Sequence, residues 1–302
     1  MKLMVIFCNV ALAMLAAPLM WGITYRVKAW FAGRSGPPLL QLYYDIIKLL
    51  KRGCVYSRTT TVIFKIAPAV CLGCVITALT LMPGGGEASW LGFKGDFILL
   101  IYLLALGRFF MVMAALDTGS PFEGMGAGRE VQFAAFIEPS FIVVMAVSAI
   151  SNGGTSLAAI SANTAYNNYA STILAAGTMV MIYLVENARI PFDDPDTHLE
   201  LTMIHEVMIL DHSGPDLALM EYAASLKVWL LGMLVVLIAC PWIGLLPFWF
   251  YWVALLAGVS IVAVITGIIE SAMARFALLD VPQVLLGIYG MALLSLIFLL
   301  YR

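Results

Sequence analysis

Apolar residues in this chain neither alternate with a period of two nor recur every third or fourth position; they run on in blocks of about twenty. The blocks lie near residues 3–25, 61–82, 97–116, 131–150, 168–188, 226–246, 248–270 and 281–301. About 20 apolar residues are needed for a helix to cross the hydrocarbon core of a bilayer, and each block has that length. Barrel strands would be about half as long and would alternate. The pattern therefore predicts an all-α, polytopic membrane protein with eight transmembrane helices, a single transmembrane domain over residues 1–302.

Two stretches between the blocks have a helical pattern of their own. In "LLQLYYDIIKLLKR" (39–52), Gln41, Asp45, Lys48 and Arg52 form one polar stripe on an otherwise apolar helix, as expected of a helix lying in the membrane interface. Gly36-Pro37-Pro38 supplies the bend before it. The second stretch, 189–225, holds eight carboxylates, Asp193, Asp194, Asp196, Glu200, Glu206, Asp211, Asp216 and Glu221, and Arg189 opposes them. Asp194-Pro195 reads as an N-cap and first turn, so a helix is expected over 195–210. His198, His205 and His212 recur every seven residues along it, too far apart to share one tetrahedral ion. A face that meets a partner protein is the reading adopted for them.

Composition agrees with the spans. The 302 residues are 63% hydrophobic and 11% charged, with mean hydropathy +0.99, which excludes a water-soluble domain. A formal charge of −2 leaves no basic excess for nucleic acid. Seven basic residues (Arg26, Lys28, Arg34, Lys48, Lys51, Arg52, Arg58) fall between the first two spans, whereas 83–96 has only Lys94. Positive charge marks the cytoplasmic side, so loops 26–60, 117–129, 189–225 and 271–280 are placed there, in an inner (cytoplasmic) membrane, with both termini outside. The first block is read as a retained anchor, since its positive charges follow the apolar run instead of preceding it. The five cysteines indicate no disulfide framework; Cys71 and Cys74, inside the second span, behave as small apolar residues.

Ionisable residues inside the spans carry the functional signal, because burying charge in hydrocarbon is costly and such groups are functional by default. Glu138 interrupts "AAFIEPSF", with Pro139 expected to kink the helix and open a small hydrated pocket. Arg108 in "ALGRFF" needs a carboxylate partner, for which Glu130 and Glu138 are the candidates. Glu186 ends the fifth span and Glu270 the seventh, each with an arginine just downstream, Arg189 and Arg275. Carboxyls set in apolar helices are the parts of proton relays.

Three motifs, "GRSGPPLLQLYYDIIKLLKR", "DTGSPFEGMGAGREVQFAAFIEP" and "ENARIPFDDPDTHLELTMIHEVMILDHSG", together resemble subunit 1 of respiratory complex I and its relatives in membrane-bound NiFe hydrogenases, over nearly the whole chain. The departures favour the hydrogenase branch, which includes formate hydrogenlyase, hydrogenase-4 and energy-converting hydrogenases. The first loop lacks the longer Gly-Pro-Asn-Arg-Val-Gly-Pro stretch of the quinone-reducing complexes. Asp196, His198 and Glu200 stand where those have Glu-x-Glu-x-Glu, and Asp211-His212-Ser213-Gly214 where they have Glu-Tyr-Ser-Gly.

The resemblance implies a membrane anchor for a hydrogenase large subunit and a small iron-sulfur subunit docked from the cytoplasm, beside antiporter-like membrane subunits. The iron-sulfur clusters and NiFe centre would belong to the partners, with no cofactor or metal in this chain. Glu138, Glu186, Asp193, Asp194, Asp196, Glu200, Glu206, Asp211, Arg108 and Glu130 would form the coupling pathway. Arg34, Gly36, Pro37, Gln41, Asp45, Lys48, Arg189, His198 and His205 would form the docking interface. Alternatives are a quinone-site subunit of an NADH:quinone oxidoreductase, a stand-alone transporter working through Glu138 and Arg108, for which inverted repeats would be the signature, and a passive scaffold.

Overall fold

The computed structural model describes residues 2–84, 89, 91–161, 169–193 and 203–301. The helices are α1 (Lys2–Phe31), α2 (Gln41–Leu50), α3 (Val62–Leu81), α4 (Asp96–Asp117), α5 (Pro121–Ser151), α6 (Leu157–Ser161), α7 (Tyr169–Glu186), α8 (His205–Met208), α9 (Gly214–Ala239), α10 (Phe248–Ala272) and α11 (Val281–Leu300), with a 3-10 turn at Pro241–Leu245. Eight of them (α1, α3, α4, α5, α7, α9, α10 and α11) are long and apolar enough to cross a bilayer. The chain is thus an all-helical, multi-pass membrane protein. The end of the bundle where α1 finishes and α3 begins, here the loop face, also carries α2, α8 and the α10–α11 connection.

α9 is the hub. It packs against α1, α2, α3, α7 and α10, and 78% of its apolar stretch is buried, against 22–50% in the other seven spans. A helix shielded from lipid on every side tolerates polar residues that a peripheral span would not. That is why α9 departs from the sixth block, expected at 226–246: it starts twelve residues earlier, at Gly214. Pro215 stands in its first turn, where the missing N–H costs nothing, and Asp216 stands where the helix dipole favours an anion.

α5 also runs farther than its apolar block. Residues 121–129, expected as loop, are its first turns, opened by Pro121 with Glu123 in the first turn. Three glycines, Gly124, Gly126 and Gly128, disguise this segment, since glycine is a poor helix former. Gly126 has a packing reason: a Cβ there would lie 2.5 Å from Val207 Cγ1 and 3.0 Å from the carbonyl oxygen of Ile204, so only glycine lets α8 approach α5 this closely. Pro139 lies within the helix, which continues to Ser151.

α1 spans 30 residues, about 45 Å at 1.5 Å per residue, more than the ~30 Å hydrocarbon core. A Cβ on Gly22 would collide with the Leu39 carbonyl, so the chain entering α2 crosses α1 at that level. The Tyr43 hydroxyl donates to the Leu15 carbonyl about two turns below. From Leu3 to Gly22 is about 30 Å of helix, so α2 lies at the edge of the hydrocarbon, as its amphipathic pattern predicts. The rest of α1 raises Lys28 above it. Of the helix expected over 195–210, residues 195–202 lie outside the described residues, and in the described part only His205–Met208 is α-helical.

Candidate functional site

The centre of the site is Arg108. Its side chain, on α4 and 8% exposed, faces three carboxylates at once: Nε is 3.1 Å from Glu130 Oε1, Nη1 is 2.6 Å from Glu138 Oε1, and Nη2 pairs with Glu186 Oε1. Glu130 and Glu138 are eight residues apart on α5, about 12 Å along the axis, so their side chains lean toward each other to meet one planar guanidinium, whose last nitrogen turns to α7. Lys227 on α9 completes the group. Its ammonium lies 2.8 Å from Glu186 Oε2 and donates to the Glu186 carbonyl at 2.6 Å.

Among the described residues, three carboxylates and two cations leave one negative charge unmatched in this group. At low dielectric an unmatched charge is expensive, so the group can take up a single proton and become neutral. The carboxylates differ in access: the Glu186 side chain is 4% exposed and that of Glu138 is 38% exposed, on the outer surface of the bundle.

A second group sits at the loop face. α7 ends in a Schellman turn: Ala188 donates to the Val185 carbonyl and Arg189 to the Leu184 carbonyl at 2.9 Å, with Ala188 in the left-handed region at φ 48°. That turn sends Arg189 inward. Its guanidinium lies 4.0 Å from the centre of the Trp21 ring and its Nη1 3.3 Å from Glu270 Oε1, and Lys28 reaches Glu270 Oε2 at 3.1 Å. Four residues on, Asp193 pairs with Arg275 Nη2 at 3.1 Å. In the sequence Glu186 and Glu270 each have an arginine just downstream, Arg189 and Arg275, but neither glutamate pairs with its own. Instead the partners cross: Glu186 takes Arg108 and Lys227, Arg189 takes Glu270, and Arg275 takes Asp193. α7 and α10 both finish at the loop face, so an arginine beyond one helix is nearer the carboxylate of the other.

The two groups share a cavity of about 80 Å³. Arg108, Glu186 and Lys227 line one part of it, Asp193, His205 and Glu206 another, and Trp21, Cys71, Cys74 and Leu104 supply apolar wall. At roughly 10–15 Å³ per water, it holds several. Beside it, sharing Trp21, His205, Glu206, Met220 and Ala224, a larger cavity of about 620 Å³ lies between α1, α2 and α9, with Gln41, Asp45, Lys48, Arg52 and Glu221 on its walls. Burial, with the positive charges of Lys227 and Arg189 adding to it, lowers His205 to about 4, so it is neutral at pH 7.

The placement of the expected residues is mixed. Arg108, Glu130, Glu138 and Glu186 converge as one cluster, and Glu206 joins Asp193 on the cavity wall. Asp211 lies apart, exposed, its backbone N–H donating to Glu123 Oε1 at 3.2 Å. Asp194, Asp196, His198 and Glu200 lie outside the described residues. Of the residues expected to meet a partner, Arg34, Pro37 and Lys48 are exposed and Gly36, Gln41 and Asp45 half-buried. Arg189 is not on that surface: it is 1% exposed, because its charge is used inside the bundle. His205 turns inward as well. His212 is not on the same helix face; it stacks on Phe64 at 3.8 Å, beyond the end of α8. Sequence reasoning missed Lys227, although a lysine inside "SLKVWLL" was the available signal, and it missed Asp96, buried at the far end of the bundle, where it accepts the Leu157 N–H at 2.7 Å.

A profile of the family described as NADH dehydrogenase matches residues 2–301. The chain belongs to that family, the family of complex I subunit 1. Within it the chain is 33% identical over 293 residues to formate hydrogenlyase subunit 4 of Escherichia coli (strain K12), covering 94% of each chain. It is 34% identical over 230 residues to hydrogenase-4 component C of the same organism, covering 76% of this chain and 72% of the relative. The fold is similar to a chain in the structure of the membrane-bound sulfane sulfur reductase, an archaeal respiratory membrane complex, with a TM-score of 0.82 and 20% identity, over 97% of this chain and 99% of that one. The family's members named here are thus subunits of larger membrane assemblies.

Proposed function

We propose that this member of the NADH dehydrogenase family anchors and couples a multisubunit membrane oxidoreductase of the group 4 NiFe hydrogenase, or formate hydrogenlyase, type. A hydrogenase large subunit and a small iron-sulfur subunit dock on the loop face, which is cytoplasmic in an inner membrane with both termini outside. Antiporter-like subunits lie alongside in the bilayer. The iron-sulfur clusters and the NiFe centre belong to the partners, and this chain carries no redox cofactor.

The observation that carries the reading is the shared cavity, where the Arg108–Glu186–Lys227 group meets the neck of the acidic segment. Redox chemistry above the loop face alters charge on that segment, the cavity waters pass the change to Glu186, and Arg108 relays it to Glu130 and Glu138. Glu138 delivers a proton or sodium ion pathway to the neighbouring subunit, consistent with its outward position. The likeness to formate hydrogenlyase subunit 4 over 94% of the chain supports the choice of oxidoreductase.

The larger cavity, whose walls also carry Leu42, Leu49, Ile209 and Leu217, favours a second reading, a quinone-site subunit of an NADH:quinone oxidoreductase. One experiment separates the two: purification of the tagged chain from native membranes in mild detergent, assayed for hydrogen evolution with a reduced dye and for quinone reduction. Hydrogen evolution with nickel and iron-sulfur subunits is expected. Quinone reduction without nickel overturns the hydrogenase assignment, and a chain that purifies alone overturns both readings in favour of a transporter.

A further inference from the structure

Asp193 stands at the entrance to the acidic segment, and both of its oxygens are engaged. Oδ1 faces Arg275 Nη2 at 3.1 Å. Oδ2 accepts the backbone N–H groups of Ile204 and His205, at 3.1 and 3.2 Å. These bonds join positions 11 and 12 residues apart, so one side chain, 2% exposed, draws together the two ends of segment 194–203.

Arg275 belongs to the α10–α11 connection, which is fastened to the same neck at further points. The Phe276 N–H donates to the Pro191 carbonyl at 2.9 Å, and its ring meets that of Phe192 edge-on at 5.9 Å. Two residues before the end of α10, Glu270 holds Arg189. The segment is thus tied to α10 on the stem side, and Asp193 ties its far end back to the stem.

We infer that Asp193 is a fixed anionic clamp on the neck of the acidic segment and not one of its proton carriers, and that Arg275 is the positioning residue that holds the clamp. Protonating Asp193 would remove the attraction to Arg275 and weaken two charge-assisted bonds to the backbone, so the neck would open. A carrier must change charge in each cycle without undoing its own scaffold. In the coupling role proposed above, on which this inference rests for its functional meaning, proton uptake then belongs to acids other than Asp193, and Asp193 with Arg275 holds the neck of the segment closed.

The test uses the purified complex with Arg275→Gln, Arg275→Lys, Asp193→Asn and the Asp193→Asn/Arg275→Gln double variant. Hydrogen exchange at the Ile204 and His205 amides reports the clamp directly. Arg275→Gln is expected to speed that exchange by about tenfold or more, since these amides lose their fixed acceptor; Arg275→Lys restores most of the protection. The double variant is expected to exchange no faster than Asp193→Asn, because the two residues act as one unit. In coupled ion translocation, Asp193→Asn lowers the amplitude equally at every pH.

Unchanged exchange in Arg275→Gln overturns the clamp. A displaced limb of the pH profile in Asp193→Asn, absent from Arg275→Gln, overturns it in favour of a carrier. The exchange result does not depend on what the assembly oxidises, so failure of the hydrogenase assignment and failure of the clamp are read separately.

Discussion

Lys227 grips Glu186 twice, through the carboxylate at 2.8 Å and through the backbone carbonyl at 2.6 Å. The lysine therefore fixes the last turn of α7 to α9 as well as balancing charge, and it does so where Glu186 passes from Arg108 to the shared cavity.

This arrangement ranks the losses expected on neutralising each cation. Arg108→Met leaves three carboxylates facing Lys227 alone and should cost about 3–5 kcal/mol, the usual penalty for breaking a buried pair from one side. Lys227→Met should cost less, because Glu186 keeps Arg108. Thermal unfolding of the purified complex in detergent checks the order; equal losses would mean that the five groups do not act as the network described.

Glu138→Gln tests coupling apart from assembly. The substitution leaves two carboxylates against two cations, so the complex should assemble and evolve hydrogen from a reduced dye. Ion translocation should fall by at least about tenfold, the scale expected when a positioned proton-transfer group is removed. Reconstituted vesicles with a pH-sensitive dye, and separately with sodium, give the measurement, and retained translocation would reduce this chain to a scaffold.

His212 makes the loop face sensitive to acid. The ring is 3% exposed, stacks flat on Phe64, and neither nitrogen has a hydrogen-bond partner among the described residues. Burial lowers it to about 4, against the pull of Asp216 and Asp211 in the other direction. As pH falls below about 6.5, the ordinary histidine value, the unfolded chain takes up a proton that the folded chain refuses. The stabilisation from neutral His212 is therefore complete above about 6.5 and is lost towards about 4. His212→Phe, which keeps the stack, should unfold at a higher temperature than the parent at pH 5 and show a weaker pH dependence between 6.5 and 5.

Gly126→Ala should separate α8 from α5. The new methyl would sit 2.5 Å from Val207 Cγ1 and 3.0 Å from the Ile204 carbonyl oxygen, and Val207 is fully buried with no room to yield. Overpacking of this kind costs about 1–3 kcal/mol. Amide exchange across 203–212 is the local readout, and an unchanged pattern would show that α8 is not seated by this contact.

Ala188→Gly should act in the opposite direction. A non-glycine residue in the left-handed region carries about 1 kcal/mol of strain, whereas an added glycine loses roughly 0.5–1 kcal/mol in chain entropy. The net effect expected is a small gain, up to about 0.5 kcal/mol, seen as a slightly higher unfolding temperature; a clear loss would mean that the Ala188 methyl makes packing contacts worth more than the strain.

Some of this was legible before any coordinates. The eight spans could be read because lipid imposes one requirement on every segment that crosses it, and Arg108 with Glu130 and Glu138 could be paired because a buried guanidinium must find carboxylates. Lys227 escaped notice because its long alkyl stem lets one charge pass inside an apolar run. The early start of α9 was hidden by Asp216 and Glu221, which look like loop residues until the helix is seen to be shielded on all sides. The crossed pairing of Arg189 with Glu270 and Arg275 with Asp193 had no local signal, since it depends on α7 and α10 ending side by side.

The burial of α9 also bears on how the protein is made. A segment that meets almost no lipid in the finished molecule gains little by partitioning from the insertion machinery into the bilayer on its own, and Glu221 and Lys227 resist that step. α1, α3 and α7 are synthesised earlier and supply three of its walls; α10 arrives later and supplies another. α9 is therefore best released into a half-built cradle, and variants that loosen that cradle should reduce the yield of membrane-inserted protein even where the folded bundle would have tolerated them.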